Sequence, residues 1–313
     1  MSGPKLSLRQ LHIFLAVAEH GSTAAAADAI ALSQSATSAA LNELESVLGL
    51  ELFDRVGKRL HLNSNGRSLL PRARAVIDSV RGIETWASDA DTQLGALRIG
   101  ASTTIGNYLL PALLARFIEN APAAARAEWQ ASVSIENTRA ICELVASFQI
   151  DVGLIEGPSH DPSLSVTPWI EDELLVVCGP DDPIRPSGGD GRVGLDALRE
   201  AVWLLRESGS GTREVVSQAL VRHLHHLRTG IEFGNAEAIK RATAQGLGIA
   251  CLSRYVVADM VAAGELVILP TELPRLSRRF YIVTHRQKVP TRGLERFLEH
   301  LAREDEAARP PRQ

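Results

Sequence analysis

Residues 23–45 read TAAAADAIALSQSATSAALNELE, and this stretch predicts two short helices joined by a turn at Ala31 and Leu32. The first helix is rich in alanine and therefore thin enough to cross the second at a steep angle, as in a helix-turn-helix. Ser33 is a good N-cap for the second helix, because its hydroxyl can accept a hydrogen bond from a free backbone N–H. The fold of the N-terminal part is therefore predicted from this stretch.

The second helix has one apolar face and one small polar face. Its apolar residues recur at helical spacing, at Ala36, Ala40, Leu41, Leu44 and Leu48. Short hydroxyl and amide side chains are predicted on the other face; they fit the major groove of DNA and can bond base edges, although such a face is often only solvated. The candidate base-reading residues are Ser33, Gln34, Ser35, Thr37, Ser38 and Asn42.

The flanking segments extend this motif to a small domain. Leu8, Leu11, Leu15 and Ala18 predict a third helix that shares the core. Residues 53–62, FDRVGKRLHL, predict a β-hairpin wing with cations at its bend, which are expected to meet phosphates or the minor groove. The candidate wing contacts are Arg55, Lys58 and Arg59.

Residues 66–94 predict a long helix whose apolar residues recur at spacings of four and three. This heptad pattern is typical of paired helices, and an amphipathic helix packed on its own domain is the alternative. Pro71 is expected to distort the first turns or to mark the start of the regular helix. The candidate dimer contacts are the heptad residues Leu69, Val76, Val80, Ile83 and Ala87. Ala73 and Leu94 complete the heptad pattern.

Four strings resemble the LysR-type transcriptional regulators: LRQLHIFLAVAE at 8–19, SQSATS at 33–38, LGLELFDR at 48–55, and Asn65-Gly66. The resemblance implies an N-terminal winged helix-turn-helix, mostly α, then a long linker helix and a two-lobed α/β domain like that of periplasmic binding proteins. It also implies a homotetramer, whereas the heptad pattern by itself supports only pairing. At Ala39 and Asn42 the chain departs from the commoner family pattern, which leaves the operator sequence open.

Strands and helices are predicted to alternate after residue 94, which favours a parallel sheet. The predicted strands are 96–101, 129–135, 150–155, 174–178, 201–205, 230–233, 249–252, 265–269 and 280–284, and the helices are 107–118, 141–148, 212–226, 236–245 and 292–302. The expected domains are 1–65 (winged), 66–94 (linker and dimerisation) and 95–313 (effector-binding), with lobe I at about 95–165 and 266–303 and lobe II at about 166–265.

Three loops, 101–104, 207–213 and 234–237, combine small or hydroxyl side chains with free N–H groups at the carboxyl ends of predicted strands. Helix N-termini attract anions, so converging loops would bind a small anion, although the same residues also cap helices without any ligand. Arg213 would either bind this anion or pair with a neighbouring carboxylate. The resemblance favours a ligand, because matching positions touch co-inducers. The candidate effector residues are Ser102, Thr103, Thr104, Ser208, Gly209, Ser210, Thr212, Arg213 and Asn235.

The composition is that of an ordinary globular chain, with 45% apolar and 22% charged residues. The formal charge is -4, but residues 1–74 hold eight Lys or Arg against six Asp or Glu. Residues 1–74 therefore carry a net charge of +2 and the remainder -6, so the net positive charge lies in the predicted DNA-binding part. The chain has no apolar run of membrane-spanning length and no signal-peptide pattern at its start, so we expect a cytoplasmic protein without membrane partners.

No cofactor, metal or catalytic residue is expected. Three distant cysteines fit no metal spacing and are predicted to fill the core, and Gly209-Ser-Gly211 lacks the lysine of a phosphate-binding loop. His223 and His226 would share a helical face, which is more often solvated than metal-binding. The predicted function is a non-enzymatic, sequence-specific DNA-binding regulator switched by a small effector, with RNA polymerase a further possible partner. The alternative is a cytoplasmic small-molecule binding protein or enzyme of the two-lobed fold, which leaves the wing and the heptads unexplained.

Overall fold

The chain divides into two units. The first unit is mainly helical, and most of it lies within residues 1–91. The computed structural model describes residues 5–57, 59–87, 96–122, 126, 129–186 and 191–308. The first unit contains α1 (Leu8–His20), α2 (Thr23–Ala29), α3 (Gln34–Leu48), β1 (Phe53–Val56), β2 (Arg59–Leu62) and α4 (Ser64–Ala87). The predicted helix pair, the additional helix and the hairpin are thus confirmed.

An apolar core joins α1 to the helix-turn-helix. Leu11, Phe14 and Val17 are buried on α1, and the ring of Phe14 lies 5.6 Å from that of Phe53. The predicted apolar face of α1 is confirmed at Leu11, Leu15 and Ala18, which lie in or pack against this core, and is wrong at Leu8, which is 46% exposed. Leu8 is the first residue of α1, directly after the Ser7 cap, and lies at the edge of this core.

The second unit comprises most of the remaining chain and alternates strands with helices. Its strands are β3 (Leu97–Ser102), β4 (Ala131–Glu136), β5 (Val152–Glu156), β6 (Leu164–Cys178), β7 (Val202–Arg206), β8 (Arg228–Phe233), β9 (Ala250–Ser253), β10 (Val267–Ile268) and β11 (Leu276–His285). Its helices include α5 (Thr103–Tyr108), α6 (Leu110–Glu119), α7 (Thr138–Ala146), α8 (Leu195–Glu200), α9 (Gly211–Leu224), α10 (Ala236–Ala244), α11 (Arg254–Ala262) and α12 (Arg292–Ala308).

The large sheet is mixed, so the expectation of a parallel sheet is only partly right. Strand β3 pairs in parallel with β4 and β5, but β11 runs antiparallel to both β5 and β6. β9 also pairs antiparallel with β6, while β7 and β8 are parallel to each other. Strand β10 is also antiparallel to β6, so β10 and the tail strand β11 run in the same direction.

Two long strands, β6 and β11, pass through both lobes. Trp169 and Phe280 are buried in the core of lobe I, whereas Leu174 and Leu276 are buried in the core of lobe II. The chain therefore crosses between lobes inside these strands, and the boundaries predicted near 165 and 265 are too early. Each strand is continuous, and its inward side chains pack first in one core and then in the other. Within these two strands, therefore, no loop marks the boundary between the lobes.

Two short helices of lobe II, α8 and α11, are absent from the sequence prediction, and α9 is shorter than predicted. α9 ends at Leu224, and His225 follows with φ 62°. This left-handed residue ends the helical repeat, so the predicted helical face shared by His223 and His226 is wrong. Within the described residues no group of three His, Cys, Asp or Glu could hold a metal ion.

Candidate functional site

Helix α3 begins where the sequence predicts. Ser33 has extended backbone angles, and its hydroxyl accepts a 3.2 Å hydrogen bond from the N–H of Ala36. Gly49 ends the helix in the left-handed conformation. This cap satisfies one of the free N–H groups of the first turn and orients the polar face that follows.

The polar face of α3 contains most, but not all, of the predicted base-reading residues. Gln34, Ser35 and Asn42 are exposed, and Ser38 is half-buried. Thr37 is 0% exposed, so its prediction as a base-reading residue is wrong. Thr37 precedes Leu41 by four residues and Leu44 by seven, a spacing that places all three side chains on the buried face.

The wing is the two-stranded hairpin of β1 and β2. Arg55 lies opposite Leu60 and Arg59 opposite Val56, and both arginines are exposed. Gly57, in the turn, has φ 62°, a conformation that favours glycine. Lys58 lies outside the described residues. The wing therefore presents at least two exposed cations beside its turn.

The heptad residues of α4 divide into two groups. Ala73 is buried in the core of the first unit and Leu69 packs against that core, so this part of the seam fits the alternative of packing on the helix's own domain. Further along, Val76 is 42% exposed and Ile83 is 66% exposed, while Val80 is half-buried. Leu94 and the side chain of Ala87 lie outside the description. An exposed apolar row on α4 is what a helix-pairing surface requires.

A buried carboxylate lies at the centre of the predicted effector loops. One oxygen of Glu156, at the end of β5, accepts a 2.8 Å hydrogen bond from the N–H of Thr104. Its other oxygen accepts the Thr212 hydroxyl and a 2.9 Å bond from Arg278. Thr104 belongs to lobe I and Thr212 to lobe II, so Glu156 connects the two lobes.

Arg278 lies between two buried acids. Its Nε donates to Asp172 at 2.7 Å, and its Nη1 donates to Thr212 at 2.7 Å as well as to Glu156. Asp172 also accepts the hydroxyl of Ser253 at 2.8 Å. We call Glu156, Asp172 and Arg278 the buried ion cluster; all three side chains are almost completely inaccessible.

The pKa values of the two acids in this cluster shift in opposite directions. Burial raises the pKa of Glu156, but the charge of Arg278, the Thr212 hydrogen bond, the charge of Arg206 and the Thr104 N–H outweigh burial and lower the pKa to about 2. For Asp172 burial dominates over Arg278, and its pKa is raised. Glu156 is therefore ionised at neutral pH and forms an ion pair with Arg278.

The loop before α9 approaches lobe I closely. A Cβ atom on Gly211 would lie 1.4 Å from the carbonyl oxygen of Glu156, so only glycine fits there. The N–H of Gly211 donates to the hydroxyl of Thr138 at 3.2 Å. Arg206 donates to the Thr103 hydroxyl at 2.7 Å and forms a two-bond ion pair with Glu207. The lobes thus meet through hydroxyl and backbone groups.

The candidate effector residues lie in two places. Thr104 and Thr212 are bonded to the buried ion cluster, Thr103 is bonded to Arg206, and Ser102 precedes Thr103 at the end of β3. Ser208, Gly209, Ser210 and Arg213 instead line an open cavity of about 540 Å³. Asn235 caps α10, and Ser210 caps α9, as the capping alternative predicted. Arg213 pairs with Glu232 at 3.1 Å, which is the alternative foreseen for its side chain.

The sequence prediction missed the charged members of this site. Arg278 occupies a buried, inward-facing position of β11 between Leu276 and Phe280. Asp172 occupies a buried, inward-facing position of β6. Glu156 ends a strand in which every residue is buried. A charged residue at an inward strand position is the signal that could have identified all three, because such a group requires a partner.

The three cysteines are buried free thiols, as predicted. Burial raises the pKa of Cys178 to about 11 and that of Cys251 to about 12, and it also raises the pKa of Cys142. Thiolates are the reactive form, so these three groups are poor nucleophiles and fit a packing role. No helix in the described ranges combines the length and apolar character needed to cross a bilayer.

A winged helix-turn-helix joined to a two-lobed α/β domain defines the class of ligand-responsive DNA-binding regulators. Residues 8–67 match the family model described as bacterial regulatory helix-turn-helix protein, lysR family, and residues 90–306 match the LysR substrate binding domain. The chain belongs to the LysR family of transcriptional regulators, and its second domain is the effector-binding domain of that family.

Relatives and solved structures agree with this assignment. The HTH-type transcriptional regulator YeiE of Escherichia coli (strain K12) is 45% identical over 295 residues, covering 94% of this chain and 97% of the relative. A full-length OxyR structure from Pseudomonas aeruginosa is similar in fold, with TM-score 0.78, 22% identity, and coverage of 99% of this chain and 100% of that one. The regulatory domain of Synechocystis PCC6803 CcmR, solved in complex with 2-PG, has TM-score 0.60 and 29% identity, covering 68% of this chain and 98% of that one.

Proposed function

We propose that this regulator binds operator DNA as a dimer in the cytoplasm and that a small anionic effector, bound beside the buried ion cluster, switches its activity. A single observation carries the effector proposal: the hydroxyl of Ser102 and the Nη2 of Arg278 are buried and have no hydrogen-bond partner among the described residues. Buried donors without partners are rare because each costs about 1–3 kcal/mol. Two such donors, one within the ion cluster and one on Ser102, two residues before the Thr104 that bonds Glu156, favour a ligand with oxygen acceptors.

The charge of the cluster restricts this ligand. Glu156 already accepts the N–H of Thr104 and the hydroxyl of Thr212, two of the donors expected to bind the effector. We therefore infer that the effector anion binds at the free donors of Ser102 and Arg278. The negative charge of Glu156 opposes this anion, so the site is suited to weak, reversible sensing.

The relatives support a small oxygen-rich effector. CcmR, at 29% identity, was solved with 2-PG in its regulatory domain. Binding of such a ligand would shift a pre-existing balance of lobe and subunit arrangements. The linker helices would then change the separation of the two recognition helices, which bind successive major grooves of a partly palindromic site.

The DNA-binding roles are assigned as follows. Gln34, Ser35, Ser38 and Asn42 read bases from the exposed face of α3, while Ser33 serves mainly as the cap of that helix. Arg55, Lys58 and Arg59 of the wing contact phosphates or the minor groove. Val76, Val80 and Ile83 of α4 form the dimer contact, with the domains divided near residues 65 and 94.

The finer parts of this proposal concern assembly and chemistry. We infer a tetramer built from these dimers and a contact with RNA polymerase at the promoter. We also infer that the protein has no enzymatic activity of its own, because its buried charged groups are paired with one another and its thiols have raised pKa values.

Thermal unfolding of the full-length protein with phosphate, sulfate and bicarbonate tests the effector site. A bound ligand raises the melting temperature with concentration. We expect at least one anion to stabilise the wild type and Ser102→Ala to lose most of that shift. Ser208→Ala, in the open cavity, is the matched control and should retain it. An equal anion shift in both variants would contradict the assignment of the site to the buried ion cluster.

A further inference from the structure

A second ion cluster connects the lobes away from Glu156. Lys240, on α10, is 1% exposed, yet its ammonium group lies 2.9 Å from Glu237 and 2.9 Å from Asp259. Both acids belong to lobe II, as Lys240 does. A buried ammonium requires such partners, because an unpaired charge in the interior is strongly unfavourable.

Lobe I contributes one residue to this cluster. The hydroxyl of Tyr108 donates to Glu237 at 2.5 Å, and the Lys240 ammonium lies 5.4 Å from the centre of the Tyr108 ring. The carboxylate of Glu237 thus accepts from a residue of each lobe. Burial and the hydrogen bond to Glu237 raise the pKa of Tyr108 to about 12, so this tyrosine remains a donor throughout the physiological pH range.

Tyr108 and Glu237 each lie on a helix that begins beside candidate effector residues. Tyr108 is the last residue of α5, whose first residues are Thr103 and Thr104, bonded to Arg206 and Glu156 respectively. Glu237 lies in the first turn of α10, two residues after the Asn235 cap. One short helix therefore connects the hydroxyl groups around the buried ion cluster with the Tyr108 contact.

We propose that Tyr108, Glu237 and Lys240 form an interlobe latch that fixes the separation of the two walls of the effector site. When the lobes separate, Lys240 keeps both acids, because all three residues belong to lobe II. Separation instead breaks the hydrogen bond from Tyr108 to a charged acceptor and moves the ammonium away from the face of the ring. Tyr108 is thus a positioning residue that acts on the effector through α5, and this consequence rests on the proposed function.

The latch can be tested without any effector. Spin labels introduced through noncanonical amino acids at exposed positions 119 in lobe I and 222 in lobe II would report the interlobe distance in the full-length protein. We expect one main distance in the wild type. In Tyr108→Phe a longer distance should appear, because loss of a hydrogen bond to a charged group shifts an equilibrium by about 10- to 100-fold.

Tyr255→Phe is the matched control, since it removes a tyrosine hydroxyl from the neighbouring α11 without touching the latch, and it should keep the wild-type distance. Glu237→Gln retains an acceptor for Tyr108 and should give an intermediate distribution. A Tyr108→Phe protein that melts at a lower temperature but keeps the wild-type distances would overturn the proposal, because Tyr108 would then only contribute to packing. Unchanged distances with unchanged melting would overturn it as well.

The proposed effector site and the latch fail separately in these experiments. If no anion stabilises the wild type while Tyr108→Phe still lengthens the interlobe distance, the effector assignment is wrong and the latch remains. If anions stabilise the wild type but Tyr108→Phe leaves the distances unchanged, the latch is wrong and the effector site remains.

Discussion

The winged segment at residues 5–62 and the second unit of this regulator place their charges in opposite locations. Within residues 5–62 of the first unit the described buried side chains are apolar except for the neutral Gln10 and Thr37, and the wing arginines are exposed. In the second unit Glu156, Asp172 and Arg278 are buried together where the lobes meet. The difference corresponds to the two partners: a DNA backbone binds at an exposed surface, whereas a small ligand requires an enclosed polar site.

This difference also predicts how each unit responds to substitution. An apolar core loses free energy in proportion to the volume removed and tolerates conservative exchanges. A buried ion cluster loses far more when one partner is removed, because the remaining charges stay buried without compensation. The largest effects should therefore occur in the second unit.

Arg278→Gln should have the largest effect. It leaves Glu156 and Asp172 buried without their cation, which we expect to lower the free energy of unfolding by about 3–5 kcal/mol. Arg279→Gln is the matched control, because Arg279 is partly exposed and lies 3.9 Å from Glu171. Exposed pairs contribute about 0–1 kcal/mol. Similar denaturation midpoints for the two variants would show that the buried ion cluster is not a stabilising element.

Gly211→Ala should follow. The added methyl group would overlap the carbonyl oxygen of Glu156, so the loop before α9 has to move away from lobe I. Overpacking of this kind costs about 1–3 kcal/mol or more. Gly234→Ala is the control, since no atom lies within 4 Å of a Cβ placed there. Urea denaturation measures the free energy of unfolding of both variants. A loss of stability in Gly234→Ala but not in Gly211→Ala would contradict this prediction.

In the first unit Asn42→Ala and Thr37→Val should separate base reading from packing. Asn42 is exposed on α3, and losing one good base contact costs about 1–3 kcal/mol in discrimination between operator and mutated sequences. Thr37 is buried and its hydroxyl has no partner among the described residues, so an isosteric valine should leave specificity unchanged. Competition binding with variant duplexes measures the sequence specificity of both proteins. Altered specificity in Thr37→Val would show that Thr37 contacts DNA after all.

Acidification should have the smallest effect within the usual working range. The pKa of Glu156 is lowered from 4.5 to about 2, so its stabilising contribution is complete above about pH 4.5 and is lost as the pH falls towards 2. Glu156→Gln should therefore flatten the melting temperature between pH 4.5 and 2 relative to the wild type. Identical acid profiles in the two proteins would mean that Glu156 is not ionised in the folded protein.

The winged domain is largely predictable because its signals are local. Ser33 caps the helix that it is predicted to cap, and the hairpin follows from the pattern around Gly57. Thr37 is misassigned because its hydroxyl suggests an exposed residue, while the helical spacing with Leu41 and Leu44 places it inside. Local chemistry and periodicity disagree at this position, and periodicity is the better guide.

The proposed effector site is only half predictable because its chemistry is non-local. The loops of Ser102 and Thr212 are identified from their small hydroxyl residues, but their partner Arg278 is 122 residues from Glu156 in sequence. The strand crossing that brings these residues together follows from the antiparallel return of β11, which no spacing in the sequence specifies. Only the inward position of a charged residue in a strand gives a local indication.

The most direct test of the account is a DNA footprint of the full-length regulator on the promoter beside its own gene, with and without the anion that raises its melting temperature. We expect the anion to change the footprint of the wild type and of Ser208→Ala, whereas Ser102→Ala should protect the same DNA without responding to the anion. A Ser102→Ala protein that responds as the wild type does would contradict the placement of the effector at the buried ion cluster.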